Sequence, residues 1–139
     1  LKSLLDHKIN DDFHFLKNEA LCGDKIKTNK LLSDTIMEPE KNIFYLTIIN
    51  QSLHKLNETS KIAKKTNIDE AINIVKPPIF WKEKALIKKQ LLKWDSNKIK
   101  KILNITYNLE IEIKSNIQIN KNILIKKLLV DICELANAS

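Results

Sequence analysis

Three histidines, two cysteines and a dense block of lysines are the side chains in this sequence that could do chemistry. His54 is a candidate catalytic base, but no nucleophile or acid pattern accompanies it, and proton transfer needs a partner within hydrogen-bond reach. His7 and His14 stand equally alone and read as surface residues. Cys22 and Cys133 lie far apart with neither a CxxC partner nor a nearby histidine cluster, so they read as two reduced, buried or half-buried thiols of a cytosolic protein. Asp69-Glu70 marks a helix start, while Glu110 and Glu112 point to different sides of theirs, which leaves no carboxylate pair for acid–base work. Nothing builds a metal site. With a single glycine, neither GxxxxGK[ST] nor GxGxxG occurs, which excludes nucleotide binding through those loops. These residues describe a module without catalytic residues or cofactor.

The lysines carry more information. Net charge is +7, and residues 61–101 hold 12 lysines against 4 acids, whereas residues 1–60 hold 8 against 9 and residues 102–139 hold 4 against 4. Such a block raises the local anion concentration and could face a phosphate backbone, with Lys82, Lys89 and Lys93 as the candidate DNA-facing side chains; a solvated helix face is the other reading. All 24 basic residues are lysine. The absence of arginine removes the side chain that reads guanine bidentately, so any contact with DNA is expected to be non-specific.

These residues must be positioned by helices. One glycine and three prolines leave almost no material for the tight turns of a sheet, and 139 residues at 43% hydrophobic suffice for one core, so the expected fold is all-α, a compact bundle of six to seven helices. No apolar run approaches the roughly 20 residues that span a bilayer, and no secretory leader is recognisable, so no membrane partner and a cytoplasmic location are expected. The chain opens on Leu1 without an initiator methionine and reads as an excised piece, with residues 1–10 a leader or the end of an upstream element and 11–139 a single domain.

Along the chain, Phe13, Leu16 and Ala20 recur at helical spacing before Gly23, a natural left-handed stop, and Asp24 caps a second helix over 25–37 with Leu32 and Ile36 inward. Pro39 opens a central third helix to about Leu56, with Ile43, Leu46, Ile49 and Leu53 on its broad face beside Tyr45 and Leu56. Residues 57–68 read as a polar loop with one short helical turn at 60–65. Asn67 and Glu70 then have capping-box spacing for a short helix over 68–75. Pro77-Pro78 ends that element and launches a helix from Ile79 to Trp94. Its apolar residues fall into two stripes, Phe80, Ile87, Leu91 and Trp94 on one and Trp81, Ala85 and Leu92 on the other, which wedges it between neighbours with its aromatics inside. Asp95-Ser96 caps a helix over 97–113 with Ile99, Ile102, Leu103, Thr106, Leu109 and Ile113 inward, and 114–119 connect to the last helix. Asn120 caps that helix, 121–136, which is apolar nearly all round its middle. The surplus apolar surface at Leu124, Ile125, Leu128, Leu129 and Ile132 suits a subunit interface or deep burial within the domain.

From Asn67 onward the order of features resembles a known family. The pieces are Asp69-Glu70-Ala71, Pro77-Pro78-Ile79-Phe80-Trp81-Lys82, Lys93-Trp94-Asp95-Ser96, Leu109-Glu110-Ile111-Glu112-Ile113-Lys114 and the leucine-rich stretch Leu124 to Leu135. They look like the C-terminal collar domain of the bacterial DNA polymerase III delta subunit, with looser agreement upstream at Leu21-Cys22-Gly23-Asp24. The resemblance covers nearly the whole chain, with its specificity in residues 69–114 and the signature packing residues Pro77, Pro78, Phe80, Trp81 and Trp94. It implies a part of the clamp loader, the pentamer that opens the sliding clamp and places it on primed DNA during replication. The delta subunit does not hydrolyse ATP and engages the clamp chiefly through an N-terminal part not included in this chain. Its helical collar domain holds the subunits together. The implied partners are the other clamp-loader subunits, the sliding clamp through that N-terminal part, and DNA non-specifically through the assembly, whose parent holoenzyme is a DNA-directed DNA polymerase. A free-standing helical nucleic-acid-binding module using residues 61–101 is the alternative.

Overall fold

In the computed structural model, which describes residues 2–115 and 120–138 with side chains from residue 8 onward, four side-chain caps set helix starts. Asp24 accepts from the Lys27 amide at 3.0 Å, Asn67 from Glu70 at 2.9 Å, Asp95 from Lys98 at 2.8 Å and Asn120 from Asn122 at 3.1 Å. Each satisfies a backbone donor that has no partner in the first helical turn. All four were expected from the sequence. The resulting elements are α1 (Lys2–Cys22), α2 (Lys25–Asp34), α3 (Asn42–Lys65), α4 (Ile68–Ile74), α5 (Lys84–Leu91), α6 (Ser96–Lys114) and α7 (Lys121–Asn137), with 3-10 turns at Pro39–Lys41 and Trp81–Glu83. The described residues contain no strand, and the fold is the expected all-α bundle of seven helices.

The long α3 is the central strut. It packs against α6, α4, α7 and α5, while α1 packs on α7 and α2 and α6 packs on α7. One continuous core joins Phe13, Leu16 and Leu21 of α1, Tyr45, Ile49, Leu53 and Leu56 of α3, Ile99 and Ile102 of α6, and Ile125, Leu128, Leu129 and Ile132 of α7. Tyr45 stacks on Phe13 with ring centroids 4.4 Å apart, and its hydroxyl accepts from the Glu38 amide at 2.9 Å. One side chain thus ties the entry turn of α3 to the face of α1. Gly23 ends α1 with φ +77°, the left-handed conformation that glycine adopts without a Cβ penalty.

Several boundaries differ from expectation. Residues 57–65 are helix, not loop, because Leu56 and Thr59 are fully buried and Ile62 packs against the core. Tertiary contact sustains a polar stretch whose apolar spacing is too sparse to announce a helix. Helix α1 likewise runs from Lys2 through the presumed leader, and Ile9 is buried. Helix α2 stops at Asp34; Met37 turns inward and Ile36 outward, and Ile43 is also exposed. The connection over 114–119 is described only at Lys114, where α6 ends, and at Ser115; residues 116–119 lie outside the described residues.

The largest correction falls after Pro77-Pro78. No helix starts at Ile79: Phe80 is extended at φ −60° and ψ 135°, a single 3-10 turn follows, and α5 has only 8 residues. In extended backbone successive side chains alternate, so Ile79 points in and Phe80 out. Phe80 and Trp81 are 57% and 69% exposed and Leu92 is exposed too, so the two-stripe arrangement does not form; of the three aromatics in this stretch only Trp94 is buried, at 3%.

Candidate functional site

A cleft of about 970 Å³ lies between α1, α3 and the entry to α5. Lys17 forms its floor. In α1 it sits four residues after Phe13 and four before Leu21, on the apolar stripe itself, and it is only 8% exposed. Its ammonium approaches His14 Nδ1 at 3.5 Å. Burial, partly countered by Glu83, pulls the Lys17 pKa down to about 8. Burial and then the Lys17 charge hold the His14 imidazole below its ordinary pKa, against Asp11 and Glu83. Helix α3 contributes Gln51, Ser52 and Lys55, whose ammonium donates to the Pro77 carbonyl. Gln90 of α5 closes the end, donating to the Asn18 carbonyl at 3.4 Å. His14 and Lys17 were not among the candidate site residues. The legible signal was a lysine at i+4 within an otherwise apolar face.

The expected basic surface is divided by the fold. Lys88 pairs with Asp69 at 2.8 Å and Lys84 donates to Asn73 at 2.8 Å, so two lysines of α5 reach back to α4. Lys64 donates to the Ser96 hydroxyl, and Lys98 donates to the Lys93 carbonyl at 3.1 Å and to the carbonyl of Ala138. These lysines join elements. Lys82, Lys89 and Lys93 are exposed, and Lys82 lies over the Trp81 ring, 5.5 Å from its centroid. Phe80 and Trp81 stand beside each other, centroids 5.9 Å apart and rings tilted by 52°. Pro77 and Pro78 are exposed at the same junction, after a cis Lys76–Pro77 peptide.

The presumed interface on the last helix is corrected by burial. Ile125, Leu128, Leu129 and Ile132 are at most 1% exposed within this chain, and Leu124 is half-buried against the core. The apolar face of α7 packs against α1, α6, α3 and α2, while Ile123 stays 63% exposed near its start.

His54 is exposed, and the side chain of His7 lies outside the described residues. Both cysteines are free and buried, and burial pushes the Cys22 thiol pKa up. Among the described residues no group of three or more His, Cys, Asp or Glu side chains could hold a metal ion, and no helix is long and apolar enough to cross a membrane. No family model matches the chain, and no curated protein or solved structure matches it either.

Proposed function

We propose that the chain is a non-catalytic assembly domain of the collar type, from a delta subunit of a bacterial DNA polymerase III clamp loader. The reading rests on the order and spacing of the motifs over residues 69–114. The structural observation that carries it is the exposed Phe80–Trp81 pair. The core closes without these two rings, so the chain holds large apolar area in water that folding does not use. Aromatic side chains are enriched where proteins meet. On this reading the partner meets the chain at the proline junction, since the apolar residues of α7 proposed for an interface are buried or half-buried within the chain. Co-expression of the full-length protein with the remaining loader subunits, followed by size exclusion, tests the proposal: co-elution is expected, and exclusion from the complex overturns it.

A second reading has its own support in the Lys82–Trp81 contact. Exposed aromatic faces edged by lysines suit the stacking of unpaired bases with phosphates alongside. As a free-standing nucleic-acid module the isolated chain would bind single-stranded DNA with an affinity that falls steeply with salt, whereas negligible binding at about 50 mM salt, where phosphate contacts are strong, excludes it.

A further inference from the structure

We propose that the cleft between α1, α3 and the α5 entry binds a phosphate monoester, its oxyanion held by the Lys17 ammonium with His14 and Ser52 at the wall. Lys17 is almost wholly buried, yet none of the ion pairs among the described residues includes it, and its one hydrogen-bonding contact there is the 3.5 Å approach to His14. Glu83 acts on the Lys17 charge across the cleft without making an ion pair with it. A buried cation with no contacting carboxylate is an expensive arrangement that a fold does not need, since an apolar side chain of similar length would fill the same space. An anion entering the cleft supplies the missing partner.

The surrounding charges favour that polarity. From α1 the cleft is faced by Asp11, His14 and Lys17, from α3 by Lys55, and from the 3-10 turn before α5 by Lys82 and Glu83. Lys55 is engaged with the Pro77 carbonyl and Lys82 with Trp81, so these two shape the potential while Lys17 remains to bind. The depressed Lys17 pKa of about 8 still leaves the amine mostly protonated at neutral pH. Volume decides between a bare ion and an ester. About 970 Å³ exceeds what a phosphate group fills, and Phe15, Ile48, Leu86 and Ile87 provide apolar wall for an organic body.

The test is an NMR titration of the chain with inorganic phosphate and with phenyl phosphate, following the His14 ring and the Lys17 side chain. Saturable shifts at both, tighter for the phenyl ester, and an upward move of the His14 titration are expected, because an opposite charge favours the protonated form. Lys17→Met should weaken binding roughly 10- to 100-fold, the range for a charge-assisted hydrogen bond, with the helical circular dichroism unchanged. Glu83→Gln, an exposed change on the cleft rim, should tighten binding a few-fold by removing repulsion. No saturable shift at His14, or equal affinity in Lys17→Met, overturns the proposal. A short single-stranded oligonucleotide without a terminal phosphate offers only phosphodiesters: failure to displace phenyl phosphate supports a monoester ligand, and displacement overturns it.

Discussion

Trp94 Nε1 donates a hydrogen bond to the Leu21 carbonyl at 2.8 Å, wholly inside the protein and across 73 residues of chain. The pair locks the exit of α5 onto the last turn of α1, whose carbonyls have no helical partner. Next to it, Asn137 Nδ2 donates to the Gly23 carbonyl at 2.6 Å and Lys98 reaches the Ala138 carbonyl. The ends of α1, α5 and α7 are thus tied together at one corner of the bundle.

Trp94→Phe keeps most of the apolar volume but leaves the Leu21 carbonyl unpaired in the interior. A loss of about 1–3 kcal/mol is expected. Trp94→Ala adds a cavity and should cost about 3–5 kcal/mol. Urea denaturation followed by far-UV circular dichroism measures both, and equal stability of Trp94→Phe and the parent would show the bond to be worth nothing.

At Gly23 two independent obstacles oppose a side chain. The backbone is left-handed at φ +77°, and an added Cβ would come within 3.0 Å of Asn137 Oδ1. Gly23→Ala is expected to lose at least about 1 kcal/mol, since alanine is strained at positive φ. The midpoint of thermal unfolding reports it.

Lys17 makes stability depend on alkaline pH. Its pKa falls from an ordinary 10.5 to about 8 on folding, so between these values the unfolded chain holds more protons than the folded one. Stability therefore rises with pH across that window, by on the order of 3 kcal/mol, and is flat below it as far as this group is concerned. Lys17→Met should remove this part of the slope and be more stable than the parent near neutrality. Denaturant titrations of both proteins from pH 7 to pH 10 check the difference.

Removing the exposed aromatics should separate folding from function. Phe80→Ser with Trp81→Ser is expected to change stability by no more than about 0.5 kcal/mol, as for surface positions outside the core. Entry into the loader complex should fall at least about tenfold, the consequence of losing one or more interface anchors. Retained assembly with intact folding would move the partner surface elsewhere.

Local chemistry was legible where it acts through neighbours in sequence. The caps at Asp24, Asn67, Asp95 and Asn120, the stop at Gly23 and the inward face of α6 all depend on groups within one or two turns, and the sequence determined them. It also determined the helical class. Which apolar residues would stay in water was not legible, because hydrophobicity records a preference for burial and not the presence of a neighbour to bury against. Trp81 and Trp94 are chemically alike, yet one is 69% exposed and the other 3%. The first opens a 3-10 turn at the surface, and the end of α1 received the second. The same reason applies to α7, whose Ile125, Leu128, Leu129 and Ile132 found neighbours while Ile123 did not, and to Lys17, which lines a cleft only when α3 and α5 pack beside α1.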